Sequence, residues 1–172
     1  MYQLEENRID QLLSIINLYP STRIMHFSQG HPLLNQKLAQ FCQEQEYEFQ
    51  LNSTNDADYE YSLQEFASSE HVSLKQFNLK QPRYNIQAKL YDYLFVTSTI
   101  EEADRGSFLK KSHGVIKNAG LILIFIPKRE DKKEVYNWMQ ELEENYFVAS
   151  NNLDTFEHYD VIISKKMHGW GG

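Results

Sequence analysis

One turn in the sequence combines the features of an anion-binding site. Residues 23–27 (RIMHF) have the composition of a short buried strand, and Pro32 is a residue type favoured in the first turn of a helix. Between them lies Gly30, which lets the backbone approach a ligand closely. The free N–H groups and the positive end of a helix attract a carboxylate or a phosphate. The candidate contacts in this loop are Ser28, Gln29 and Gly30.

A second candidate position follows the strand predicted from Leu90 to Thr97. Thr97 and Ser98 lie at its carboxyl end, which is the edge where open α/β sheets bind their ligands. The same residue types also occur where a loop caps the next helix. The residue types therefore fit either a binding role or a capping role.

Histidine and cysteine carry no signature of a metal site. The six histidines do not show the i, i+4 spacing of a helical zinc site, so no metal ligand is assigned. His26 and His31 flank the glycine loop and could converge there, although a histidine at a strand end is commonly just held by hydrogen bonds. Cys42 lies on the apolar stripe of its helix and is predicted to be a core residue. No catalytic residue is assigned from the sequence.

Apolar spacing predicts helices that alternate with strands along the chain. The helices lie within 9–16, 32–42, 62–69, 107–117 and 130–144. The strands lie at 23–27, 47–51, 72–77, 90–97, 121–126, 146–150 and 159–164. The segment 52–60 is predicted to be a loop, Leu63 and Phe66 are predicted to point inward, and Gly120 is predicted to be the left-handed exit from a helix.

The order of these elements predicts an α/β fold. Residues 121–126 are apolar without alternation, as expected for a central strand that helices cover on both faces. The last two strands have no helix between them, so they are expected to pair antiparallel. We therefore predict a three-layer α/β/α, doubly wound, mostly parallel sheet that closes with an antiparallel C-terminal strand. Residues 1–172 are predicted to form a single domain, with the helix within 1–20 packed on it.

Composition limits the classes of partner. The chain has 172 residues and a formal net charge of −7, which argues against broad binding to a nucleic-acid backbone. No apolar run is long enough to span a membrane, and the N-terminus has no export pattern, so a cytoplasmic location is expected. Trp170 in the glycine-rich tail is predicted to dock on its own domain or on a second copy, which would make a homodimer.

Four segments carry a resemblance to one family. They are residues 24–32 (IMHFSQGHP), 91–96 (YDYLFV), 117–123 (KNAGLIL) and 161–166 (VIISKK). In order and spacing they resemble the class I S-adenosylmethionine-dependent methyltransferases, from about the first strand to the end of the chain. The resemblance implies that S-adenosylmethionine is the cofactor. By resemblance its binding residues would be His26, Ser28, Gln29, Gly30, Asn52, Asn78, Thr97 and Ser98.

The sequence departs from the family pattern where carboxylates are usual. His26 replaces the acidic residue before the loop, Leu51-Asn52 stands where the second strand ends, and Asn78 follows the third strand. These changes remove the negative charge that would complement a cationic sulfonium and hold its ribose.

These matches and departures support two hypotheses. The first is an S-adenosylmethionine-dependent methyltransferase of unknown substrate. The alternative is a catalytically inactive binding or scaffold protein with a decayed cofactor site. A nicotinamide dinucleotide domain is a weaker reading, because no Gly-x-Gly-x-x-Gly run is present.

Overall fold

The computed structural model describes residues 2–167, which form five helices and seven strands. The helices α1 to α5 span Glu6–Leu13, Pro32–Gln45, Asp56–Phe66, Arg105–His113 and Lys133–Glu144. The strands β1 to β7 span Arg23–Ser28, Glu48–Ser53, Val72–Gln76, Tyr91–Val96, Ile116–Pro127, Phe147–Leu153 and Tyr159–Lys166. The predicted role of Trp170 lies outside the described residues.

All seven strands join in one sheet with the order β3-β2-β1-β4-β5-β7-β6. Strands β1 to β5 pair parallel with one another, and β7 lies antiparallel between β5 and β6. The predicted doubly wound sheet and its antiparallel closing strand are therefore confirmed. The last pairing is antiparallel because a short loop, with no crossover helix, joins β6 to β7.

Two apolar layers cover the sheet. Helices α1, α2 and α3 bury one face, and α4 and α5 bury the other. Strand β1 shows how one segment serves both layers, because Ile24 packs into the first core while Met25 and Phe27 pack into the second. Residues 24–28 are therefore buried on both faces of the sheet, so the burial of β1 orients the loop that follows it.

Helix α3 differs from the sequence prediction. It begins at Asp56, so the predicted loop at 52–60 instead contains the end of β2 and the first turn of α3. The cause is a cap, since the Asn55 side chain accepts a hydrogen bond from the backbone N–H of Asp58. Phe66 is buried as predicted, whereas Leu63 is 37% exposed because the earlier start turns it outward.

The turn predicted at Gly120 is wrong in its geometry. Residues 116–127 form one continuous strand with a register shift opposite Tyr91 and Tyr93, and the left-handed residue is Ala119, with φ of 66°. Gly120 serves close packing instead, because a Cβ there would lie 2.5 Å from Ile116 Cγ2 and 3.0 Å from the Asp92 carbonyl oxygen.

Within residues 2–167 no helix combines the length and the apolar character needed to cross a membrane.

Candidate functional site

The glycine loop lies at the topological switch point of the sheet. Strand β1 pairs with β2 on one side and with β4 on the other, so helices leave in opposite directions on the two sides. In open α/β sheets this is where the crevice for a ligand forms. Gly30 and His31 follow β1 with φ values of 71° and 56°, both left-handed, and α2 begins at Pro32. Glycine adopts this conformation without strain, and histidine is among the side chains enriched there.

A carboxylate from α3 binds the backbone of this loop. The N–H of Gly30 donates to Asp58 Oδ2 at 2.8 Å, and Asn55 Nδ2 donates to the same oxygen at 2.7 Å. The sequence reasoning missed Asp58 because it placed this segment in a loop. The signal that could have found it is the Asn-x-x-Asp spacing of residues 55–58, which is typical of a helix start.

His26 replaces the expected acidic residue and is completely buried. Its Nδ1 lies 2.7 Å from Asn35 Oδ1 and its Nε2 lies 2.8 Å from Thr97 Oγ1. Because the amide oxygen can only accept, Nδ1 carries the proton, and Nε2 accepts from the Thr97 hydroxyl. Burial lowers the pKa of His26 to about 3, so the ring is neutral at pH 7. The ring therefore joins β1 to α2 and β4 without adding charge.

Hydroxyl groups connect the carboxyl ends of three strands above this histidine. The N–H and the hydroxyl of Thr54 both donate to the Ser28 carbonyl oxygen at 3.1 Å. The Thr54 and Ser98 hydroxyl oxygens lie 2.9 Å apart, and Ser98 Oγ donates to the Phe27 carbonyl oxygen at 3.1 Å. The Gln29 side chain accepts from the N–H of Thr99 at 2.9 Å. These bonds set the spacing of the loop relative to β2 and β4.

The structure brings together six of the eight residues suggested for cofactor binding. Around the loop lie His26, Ser28, Gln29, Gly30, Thr97 and Ser98. Asn52 pairs with Phe27 across β2 and β1, but its side chain bonds to none of the six. Its side-chain oxygen accepts from Gln50, and its Nδ2 has no partner among the described residues. Asn78 is exposed beyond β3, and its side chain accepts from the N–H of Lys80 at 2.9 Å.

Two adjoining cavities run along the carboxyl edge next to the loop, and we call them the edge groove. One, of about 540 Å³, follows β2 and β3, and the other, of about 380 Å³, extends beneath α4. Leu79 and Lys80 line both, and Thr54 and Phe108 lie at opposite ends. Each volume falls within the range of about 300–1,000 Å³ typical of small-molecule sites.

A smaller crevice of about 100 Å³ opens on the other side of the loop, between the carboxyl ends of β4 and β5. We call it the inner crevice. His31 and Tyr159 line it with their rings 5.1 Å apart, edge to face. Arg105 and Trp138 line it as well, the guanidinium lying 4.8 Å from the centre of the indole ring. Sequence reasoning placed His31 beside the loop but did not connect it with this crevice.

Asp58 and His31 give the two sides of the loop different chemistry. Asp58 brings a carboxylate to the Gly30 N–H, and His31 offers an imidazole to the inner crevice. Among residues 2–167 no group of three or more His, Cys, Asp or Glu side chains is placed to hold a metal ion.

Solved structures that superpose on this chain include methyltransferases. The chain superposes on a SAM-dependent methyltransferase from Aquifex aeolicus with a TM-score of 0.75 and 12% identity, covering 92% of this chain and 89% of that chain. A methyltransferase from Pyrococcus furiosus gives 0.68 and 12%, covering 93% of this chain and 83% of that chain. The CMeT domain of the citrinin polyketide synthase gives 0.72 and 12%, and this chain spans 95% of its own length but 52% of that chain.

No protein-family model matches the sequence, and neither does any curated protein. The identities to the solved structures are too low to carry substrate or activity from one protein to another. What they establish, together with the strand order, is that this chain has the class I methyltransferase-like fold that its motifs resemble.

Proposed function

We propose that this protein is an S-adenosylmethionine-dependent methyltransferase in which Asp58 replaces the carboxylate missing from the end of β2. The observation that carries this proposal is the position of Asp58, whose Oδ2 accepts hydrogen bonds from the Gly30 N–H and from Asn55 Nδ2 at the turn that follows β1. A carboxylate held in this way accepts hydrogen bonds from a ribose diol and complements the positive charge of a sulfonium.

The remaining parts of the loop fit the same ligand. Oδ1 of Asp58 has no hydrogen bond to any residue between 2 and 167, so it is available as an acceptor. The edge groove has room for an adenosyl group and is walled by Phe77, Leu79 and Phe108. The bound cofactor would supply an electrophilic methyl group. The protein would contribute binding and orientation, which alone accelerate a transfer strongly.

Calorimetry with S-adenosylmethionine and S-adenosylhomocysteine tests this proposal. We expect the wild-type protein to bind both and Asp58→Asn to bind about 10- to 100-fold more weakly, since a hydrogen bond to a charged group contributes about 1.5–3 kcal/mol. Glu60→Gln is the matched control, because it removes one charge from the exposed face of the same helix. We expect it to change the dissociation constant by no more than about twofold.

A second candidate, a binding or scaffold protein without catalysis, is favoured by the same hydrogen bond in a different role. Asp58 occupies the Gly30 N–H, which is a natural partner for the carboxylate of the cofactor. If Asp58 closes the loop, Asp58→Asn binds these ligands more tightly than the wild type. No heat from either ligand, with wild type or variant, rejects the methyltransferase and leaves this second candidate.

A cytoplasmic location belongs to the same proposal. The chain has one cysteine, Cys42, so no internal disulfide supports the fold, which is ordinary for proteins of a reducing compartment.

A further inference from the structure

His31 is a buried histidine without a hydrogen-bond partner for its ring among residues 2–167. Its side chain is 5% exposed, and its ring contact there is with the edge of Tyr159. His26, only five residues earlier, uses both ring nitrogens. An imidazole that lines a cavity and bonds to no side chain or backbone group among these residues is free to meet a ligand that enters the cavity.

Apolar side chains form a large part of the wall of the inner crevice. They are Ile100, Ile124, Phe125, Ile126 and Trp138, with Pro127 exposed at the rim. The hydroxyl residues 97–99 line it as well, and the hydroxyls of Thr97 and Ser98 are already bonded, to His26 and to the Phe27 carbonyl oxygen. Such walls favour an apolar ligand body that carries a single polar group. The volume of about 100 Å³ exceeds what one water needs, and the opening at the rim lets a larger ligand project outward.

The charged groups of the crevice are already committed to each other. The Arg105 guanidinium donates to the Glu134 carboxylate, to Asn137 Oδ1 at 2.6 Å and to the Ile100 carbonyl oxygen at 3.3 Å. The pair is neutral in sum, so the crevice does not select an anion or a cation. A neutral group that loses a proton as it reacts fits this environment better than a charged one.

The protonation of His31 suits the acceptance of a proton. Burial lowers its pKa from the ordinary value, the Asp58 carboxylate opposes that effect in part, and the positive charge of the N-terminal amine adds to it, so the neutral form dominates at pH 7. The titratable and charged groups that face it across the packed elements are Asp58, His26, Arg105, Glu134 and Tyr159.

We propose that the inner crevice binds a small, neutral, mostly apolar acceptor with one hydroxyl group, and that His31 accepts the hydroxyl proton during methylation. This rests on the proposed function. The acceptor oxygen forms a bond to the methyl carbon as the carbon–sulfur bond breaks, and that electron pair returns to sulfur. The hydroxyl proton moves to the imidazole, which later releases it to water. Phenol is the simplest molecule with these properties.

Binding can be measured without the cofactor. In NMR spectra of protein with ¹³C-labelled histidine, we expect phenol to shift the ring signals of His31 and to leave those of His71, which lies outside the crevice, unchanged. The signals are assigned with His31→Asn and His71→Asn. Asparagine suits position 31 because it also adopts the left-handed conformation. Equal shifts at both histidines, or none at His31, overturn the proposed site, whatever the protein does with S-adenosylmethionine.

Catalysis is tested by the formation of anisole from phenol and S-adenosylmethionine. We expect His31→Asn to form anisole about 100-fold more slowly, the lower end of the effect of a general base. The His71→Asn variant should form anisole at the wild-type rate. Both variants should bind the cofactor with the wild-type affinity. The wild-type rate should rise with pH through the lowered pKa of His31 and then level off. In His31→Asn the rate should continue to rise, because solvent hydroxide takes the proton.

Two results separate this inference from the proposed function. If the cofactor binds and the wild type and His31→Asn form anisole at the same rate with the same pH profile, the role of His31 is wrong and the methyltransferase stands. If no cofactor binds while phenol shifts His31, the methyltransferase and the proton transfer both fail, and only the binding site remains.

Discussion

The two sides of the glycine loop differ in how their histidines are bonded. On one side, His26 bonds through both ring nitrogens, to Asn35 and to Thr97. On the side of β5 and β7, His31 lines a cavity, and its ring has no hydrogen bond to a residue between 2 and 167. A satisfied network rigidifies a structure, whereas a ring nitrogen without a protein partner can meet a ligand. The difference agrees with the proposal that His26 holds the loop in place and that His31 takes part in the chemistry.

Substitution of the two histidines should give the largest difference in stability between the two sides of the loop. We expect His26→Ala to lower the free energy of unfolding by about 3 kcal/mol, because it leaves a cavity and two unpaired partners, Asn35 and Thr97. His31→Asn should change it by less than about 1 kcal/mol, since no hydrogen bond within residues 2–167 is lost. Urea unfolding of both variants measures this, and equal losses would contradict the distinction between the two sides.

A fall in pH should also lower the free energy of unfolding through His26, by less than the His26→Ala substitution does. The pKa of His26 in the folded state is about 3, below the unfolded value of 6.5. Its contribution to stability is therefore complete above pH 6.5 and is lost as the pH falls toward 3. Between pH 7 and pH 5 the loss from this residue should be about 2 kcal/mol. Urea unfolding at both values should show the wild type losing that much more than His26→Gln, and parallel losses would reject a neutral His26.

Loss of the Thr54 hydroxyl, which bonds to the Ser28 carbonyl oxygen and lies against the Ser98 hydroxyl, should have the smallest effect on stability. Thr54→Val keeps the shape of the side chain and removes the bond to the Ser28 carbonyl oxygen, so we expect a loss of about 1 kcal/mol in unfolding free energy. Thr99→Val is the control, because Thr99 is exposed at the same edge of the sheet. If the Thr54 hydroxyl matters only to the loop, Thr54→Val would instead leave stability unchanged and weaken the binding of S-adenosylmethionine, which calorimetry detects.

The sequence predicts the sheet well because its signals are local. The apolar run at 121–126 and the missing helix before β7 are each sufficient to place a strand, and both predictions are confirmed. The glycine loop is likewise marked by a strand, a glycine and a proline in succession. Gly120 shows the limit of such signals, because its close approach to Asp92 depends on a neighbouring strand.

The candidate site is predicted less completely because its partners come from distant segments. Asn52 stands where the sequence places the end of β2, but the strand continues to Ser53, and the carboxylate proposed to replace the missing one comes from Asp58 in the first turn of α3. The contact of His31 with Tyr159 joins residues at opposite ends of the chain. Neither pairing is visible in the spacing of nearby residues.

The hydrogen bond from Gly30 to Asp58 also has a consequence for engineering. The conformation of the loop is specified in part by a capping segment 28 residues downstream. A graft of residues 28–32 into another sheet would lack its partner, and the same five residues would lose the contact that holds their central N–H. The loop is not a portable module, and a transplant that works would have to carry Asn55 and Asp58 with it.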